Sequence, residues 1–130
     1  MNQSYLETIF PGCNGLKELP QSFAIITACN PMDEHLPKSE NENRNQKLLS
    51  ILGVRGKTIA PIIGSSPDRT HQEPSFLAHC SRKESIELGK MFRQRAIFWV
   101  NEDKLEIIEC STGLIHFAGS FRERTRIDNP

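Results

Sequence analysis

An α+β sandwich is the fold class this sequence predicts: β-α-β-β-α-β in ferredoxin-like order, one or two further hairpin strands, and two helices on one face of a mixed sheet. Three observations carry it. The run Ser22–Ala28 (SFAIITA) is apolar on both alternating sets, as in a central strand covered on both sides. Two stripes at helical period, through Leu48 and Leu52 and through Leu88 and Phe92, mark two amphipathic helices. Short apolar runs bounded by turn residues fill the intervals, in the order of a split βαβ pattern.

The elements follow in order. Residues 1–21 hold Pro11, Gly12, Asn14, Gly15 and Pro20 and read as an irregular arm with one short element at Ser4–Ile9. Asn30-Pro31 stops the first strand, and the polar loop to Lys38 is longer than the ~2–6 residues usual between strand and helix. Ser39 and Glu42 form the capping-box pattern of a helix start, and Gly53 is a natural stop. Lys57–Ile63 reads as a strand whose Pro61 points to an edge or a bulge. Gly64–Pro74 reads as a second polar loop and Ser75–Ala78 as a short strand. Ser81 and Glu84 form another capping box, opening a helix through about Arg93 with Ser85, Leu88, Gly89 and Phe92 on its inner stripe. Ala96–Val100, the turn Asn101-Glu102-Asp103 and Leu105–Cys110 make a hairpin, extended by Leu114–Phe117. Residues 22–118 thus form one domain, and 119–130 a charged tail expected to fray.

Composition excludes several classes. The 130 residues suit one domain, and 37% hydrophobic residues suffice for an ordinary core. Sixteen Lys+Arg balance sixteen Asp+Glu, which argues against nucleic acid or an anionic membrane surface as partner. No apolar run reaches the ~18 residues of a membrane span, and MNQSYLETIF lacks the basic start and apolar centre of a signal peptide. Cys13, Cys29, Cys80 and Cys110 contain no C-x-x-C pair and read as reduced structural thiols. A cytoplasmic protein is expected.

Polar residues occupy positions where a core would be. On the first helix Asn41, Arg44, Asn45, Leu48 and Leu52 share an arc of roughly 100°, so the inner stripe turns polar in the first turns. Stranding such groups costs about 1–3 kcal/mol, so they either pin loop backbone or line a pocket. In Gly64–Ser75, Pro74 biases Glu73 to extended backbone, which would place His71, Glu73 and Ser75 on one side. His71 and Glu73 are then an acid–base pair. Thr27-Ala28-Cys29-Asn30 lies at the carboxyl end of the first strand, where ligands favour α/β sheets. No phosphate-loop, dinucleotide, nucleophile-elbow or H-E-x-x-H pattern occurs, and His71-x-Glu73 has no following P-C-x-x-C. The spacing of His35, Asp33, Glu34, His71 and Glu73 gives no support to a metal site, and no cofactor is expected.

Phe23–Pro31, Glu40-Asn41, Arg44-Asn45, Gly64-x-Ser66-Pro67-Asp68, His71–Phe76 and Phe92-x-Gln94-x-Ala-Ile-Phe-Trp99 together resemble the bacterial domain-of-unknown-function family 3293. The resemblance covers about Phe23 to Val100. It implies a small bacterial cytosolic domain with Asn30, Asn41, Arg44, Asn45, Ser66, Asp68, His71, Glu73 and Gln94 in recurring motifs, and it names no reaction. It departs at Asp33 and Arg69, where the family pattern carries glycine, so different local turns are expected there.

Two functions follow as expectations. In the first, an enzyme or ligand-binding domain uses His71 and Glu73 on a small polar molecule, nucleotide-like or phosphorylated ones included. Thr27, Asn30, Asn41, Arg44, Asn45, Ser66, Asp68 and Gln94 would then hold the ligand. In the second, the cluster is a loop latch in a non-enzymatic interaction or regulatory module. That module would meet a second copy or another protein through an open sheet face (Phe98, Trp99, Ile107) or through the tail with Arg122, Arg124 and Arg126.

Overall fold

Six strands make one sheet in the computed structural model, which describes residues 3–12 and 18–125: β1 (Ser22–Ile26), β2 (Thr58–Ser65), β3 (Gln72–Ala78), β4 (Ala96–Asn101), β5 (Lys104–Glu109) and β6 (Ile115–Ser120). Their spatial order is β2-β3-β1-β4-β5-β6. Every neighbouring pair is antiparallel, which corrects the expected mixed sheet. The reason is insertion. β3 lies between the parallel-running β1 and β2, and β1 lies between the parallel-running β3 and β4, so no parallel pair is adjacent. The fold is α+β.

Among the described residues four α-helices accompany the sheet: α1 (Gln3–Glu7), α2 (Lys38–Val54), α3 (Arg82–Met91) and α4 (Phe121–Thr125). None of the described helices is long and apolar enough to cross a membrane. α2 begins before the expected Ser39 box. Its N-cap is Pro37, with no side-chain cap, and the Asn41 N–H reaches the Pro37 carbonyl at 3.1 Å. Proline's preset φ supplies the helix start, and Ser39 falls inside the first turn. The helix also runs past Gly53 to Val54, and the left-handed residue is Gly56 (φ +68°). α3 keeps the expected capping box, with the Glu84 N–H on Ser81 Oγ at 3.1 Å and the Ser81 N–H on Glu84 Oε1 at 3.4 Å. Its Gly89 lets the helix close on β4 and β5: a Cβ there would lie 2.5 Å from Cys110 Sγ and 2.9 Å from Ile97 Cγ2.

Both long helices cover one face. Leu48 and Leu52 from α2, Leu88 from α3 and Phe92 beyond it pack on Ala24, Ile26, Ile97, Trp99 and Ile108. The other face is not open. Phe10 from the arm and Phe121 from α4 close over Phe23, Ile25, Leu77, Val100 and Leu105. Trp99 and Ile107 are buried, and Phe98 is half-buried against the rings of Tyr5 and Phe10, at centroid distances of 6.2 and 5.4 Å. The expected open face is therefore occupied by the chain's own ends, because an apolar sheet face of this size must be covered. The start of the tail is ordered too: Phe121 and Thr125 are buried, and Arg124 bonds the carbonyls of Thr8 and Ala118. Cys13, Asn14, Gly15, Arg126 and Asp128 lie outside the described residues. Cys29, Cys80 and Cys110 are buried free thiols.

The expected loop Gly64–Pro74 is largely strand. β2 runs to Ser65, β3 starts at Gln72, and Gly64 pairs with Glu73 and Ile63 with Pro74. Pro74 is tolerated inside β3 because β1 ends opposite Phe76, so no ladder partner is lost there. As expected from Pro61, β2 is an edge strand and carries a bulge between Thr58 and Ala60.

Candidate functional site

Beyond β1 the chain leaves the ladder while still buried. Ala28 is 0% and Cys29 3% exposed, so their backbone groups need partners that no strand provides. Side chains provide them in succession. The Ala28 N–H donates to Asn45 Oδ1 at 2.8 Å, and the Ala28 carbonyl accepts from Arg44 Nε at 2.6 Å. The Cys29 N–H donates to Thr27 Oγ1 at 3.1 Å, and the Cys29 carbonyl accepts from Gln94 Nε2 at 3.0 Å. The Asn30 N–H donates to Asn41 Oδ1 at 2.9 Å. The polar first turns of α2 are thus a socket for backbone. Asn45 Nδ2 and Thr27 Oγ1 also donate to the Pro74 carbonyl, each at 2.8 Å, joining β3 to the same latch. Arg44 Nη2 reaches the Phe92 carbonyl at 2.5 Å, which ties in the end of α3.

The latch holds a strained loop. Asn30 (φ 47°), Met32 (φ 50°) and Asp33 (φ 62°) all have left-handed backbone, which Asn and Asp tolerate and which costs Met32 about 1–2 kcal/mol. Asn30 Oδ1 accepts from the Leu36 N–H at 3.0 Å and from Asn41 Nδ2 at 2.9 Å. The Met32 N–H donates to the Arg93 carbonyl at 2.7 Å. Asp33 pairs with Arg95 Nε at 2.8 Å and accepts from the Tyr5 hydroxyl at 3.1 Å. Strain of this kind persists only where the surroundings over-determine it, and such places cluster at functional sites.

Glu73 stands at the edge of this loop. Asn30 Nδ2 donates to its Oε1 at 3.5 Å. Burial first, and the neighbouring Asp33 charge second, push its carboxyl up from 4.5 to about 6, against the Asn30 bond. Burial and the Asp33 carboxylate likewise raise the Tyr5 hydroxyl above its ordinary value, and burial raises the Cys29 thiol.

Ser66 and Asp68 serve the hairpin tip instead. Asp68 Oδ1 accepts from Ser66 Oγ at 2.7 Å, the Thr70 N–H at 3.0 Å and Thr70 Oγ1 at 2.8 Å, which hold its carboxyl down at about 2. His71 closes the tip through its backbone, its N–H on Ser66 Oγ at 3.1 Å and its carbonyl accepting from the Ser66 N–H at 2.9 Å. Its ring faces that of His35, with centroids 6.2 Å apart. Among the described residues no hydrogen bond joins His71 to Glu73, and no group of three or more His, Cys, Asp or Glu side chains is arranged to hold a metal ion.

So Thr27, Asn30, Asn41, Arg44, Asn45 and Gln94 converge around residues 27–30, with Glu73 beside them. Ser66, Asp68 and His71 lie at the tip. Sequence reasoning missed Tyr5 and Arg95, and weighed Asp33 only as a metal ligand. Tyr5 is the chain's one tyrosine and sits in an arm that reads as irregular. Asp33 stands where a glycine turn is expected, and a charged residue kept at such a position was the available signal.

Fold and site together define a small antiparallel α+β domain whose first strand ends in a side-chain latch bearing a strained, acid-flanked loop. The chain belongs to the family described as Protein of unknown function (DUF3293), whose model matches residues 26–97. That span runs from the end of β1 into β4 and contains the latch, Glu73 and the hairpin tip, but not Tyr5. No curated protein and no solved structure matches the chain.

Proposed function

We propose that this protein binds a small polar ligand beside the Asn30–Asp33 loop, with Glu73 as its acid–base group. The observation that carries this reading is Glu73 itself. Its carboxyl is pushed up to about 6, close to the pH at which a general base works best, and is met by one long hydrogen bond. Asn41, Arg44, Asn45 and Gln94 are positioning residues here, since their polar atoms are committed to backbone. With Arg44 engaged on two carbonyls and Glu73 near Asp33, the site favours a neutral or cationic hydrogen-bond donor over a phosphorylated ligand. His71 is a second proton-transfer group that a bound ligand would have to bridge to. We place the domain in the cytoplasm of a bacterium, which the free buried thiols and the family resemblance support.

The test is an amide-resolved NMR titration with a panel of small amines, amides and polyols. Shifts should gather at Asn30, Asp33 and Glu73 and disappear in Glu73→Gln. Shifts that survive in this variant, or gather elsewhere, defeat the reading.

One observation favours the alternative, a non-enzymatic interaction or regulatory module: five successive backbone groups consume the latch side chains. On that reading substitutions in the latch change stability, and the panel leaves the Glu73 region unmoved.

A further inference from the structure

The two edges of the sheet are treated differently. At β2 the edge is closed three times over. The arm bridges it, with the Ile9 N–H on the Ser65 carbonyl at 2.8 Å and the Ser65 N–H on the Ile9 carbonyl at 2.9 Å. Pro61 lacks an N–H, and the bulge between Thr58 and Ala60 breaks the row. At β6 none of these devices is present over Ile115–Phe117. The strand, Ile-His-Phe-Ala-Gly-Ser, contains no Lys, Arg, Asp, Glu or Pro, and His116 is paired with Glu109 at 2.6 Å. The irregularity on this side falls later, at Gly119 (φ +87°) and opposite Lys104–Glu106.

The direction of the free groups follows from the ladder. The Glu109 N–H donates to the Leu114 carbonyl at 2.9 Å, and Ile107 pairs with His116, so the even-numbered residues turn their backbone to β5. Ile115 and Phe117 therefore present their N–H and C=O groups outward, and no described residue pairs with them. Phe117 is 69% exposed and its side chain, opposite Glu106, points to the helix-covered face. Leu114, just before the strand, is 55% exposed.

We infer that β6 is a dimerisation edge, which pairs antiparallel with β6 of a second copy of this chain about a two-fold axis through His116, so that the outward groups of Ile115 meet those of Phe117 in the other copy and the ladder stays within the regular stretch. A second copy fits for two reasons. The strand meets itself without any Lys, Arg, Asp or Glu opposed, and the axis sets each Phe117 side chain beside Ile115 of the other copy on one face as a cross-strand aromatic–β-branched pair. Because the β2 edge is closed, the pairing ends at two copies and yields a continuous twelve-stranded sheet instead of a fibre.

The test is sedimentation equilibrium of the full chain up to about 100 µM, a range in which a specific dimer of modest affinity is populated. Twice the chain mass is expected. Phe117→Pro, which removes an outward N–H together with the ring, and Phe117→Lys, which sets a charge against Ile115 of the other copy, should each raise the dissociation constant at least tenfold. Met91→Lys, on the outer surface of α3, should leave it unchanged. A monomer at all concentrations, or a dimer that persists in both Phe117 variants, overturns the inference. Should a variant fail to fold, hydrogen exchange of the wild-type chain decides: the Phe117 amide must gain protection as concentration rises, and equal protection throughout counts against the dimer.

Discussion

Asn30 and Asn41 hold each other reciprocally: the Asn30 N–H donates to Asn41 Oδ1 and Asn41 Nδ2 donates to Asn30 Oδ1, both at 2.9 Å. The pair locks the first turn of α2 to a residue in left-handed backbone. Asn41→Ala leaves the Asn30 N–H without that partner and should lower the unfolding free energy by about 1–3 kcal/mol. Asn45→Leu, which strands the buried Ala28 N–H, should cost a similar amount. Urea unfolding followed by far-UV circular dichroism reads both. An unchanged midpoint in either variant would show that the latch is not structural at that position.

Glu73 makes stability depend on pH. Its carboxyl moves from 4.5 to about 6 on folding, so the folded chain binds this proton more tightly than the unfolded chain. The contribution is therefore most favourable in acid, falls as pH rises between these two values, and is level above them. The whole fall is on the order of 1–2 kcal/mol. Glu73→Gln removes the titration, so its stability advantage over the wild type should grow from about pH 4 to about pH 7. Parallel pH profiles of the unfolding free energy would contradict this.

The Arg82–Glu106 pair predicts an asymmetry. Glu106 is a nearly buried carboxylate (side chain 3% exposed), gripped by Arg82 Nε and Nη2 at 2.9 and 2.7 Å, and the guanidinium lies 4.4 Å from the centre of the Trp99 ring. Arg82→Ala leaves this carboxylate unpaired and should cost about 3 kcal/mol, since removing one partner of a buried pair exceeds the net worth of the pair. The double variant Arg82→Met, Glu106→Leu should recover most of that loss. Thermal unfolding of the single and double variants reads the difference, and additive losses would refute it.

Arg69 sits in left-handed backbone (φ 63°) at the hairpin tip. Arg69→Gly relieves that strain and should raise stability by roughly 0.5–1 kcal/mol, the difference between non-glycine and glycine residues in this region less glycine's extra chain entropy. A lower melting temperature in Arg69→Gly would mean that the arginine's own contacts outweigh the strain.

Much of this architecture was legible in local pattern. Leu48 with Leu52, Ser81 with Glu84, and Pro61 each declared a buried face, a helix start and a sheet edge, because each depends on nearest neighbours in the chain. Asn41, Arg44 and Asn45 announced themselves by standing on a face that leucines continue. What stayed hidden depends on distant partners. Gly64 and Pro74 are poor strand formers, and only the pairing of β2 with β3 and the early end of β1 make them strand residues. Asp33 and Arg69 both adopt the left-handed backbone that favours glycine, which their charged side chains do not announce. The cover that Phe10 and Phe121 form over the second face needs contacts between the two ends of the chain, which no local window contains.

Those ends touch directly: the Phe10 N–H donates to the Arg124 carbonyl at 2.9 Å, and Arg124 Nη1 to the Thr8 carbonyl at 2.9 Å. On the ribosome, the early aromatic residues therefore wait for their partners until translation has passed Thr125 and that segment has left the exit tunnel. Until then a nascent sheet would carry one uncovered apolar side, so a chain truncated before Phe121 should expose Phe23, Ile25 and Leu105 and aggregate more readily.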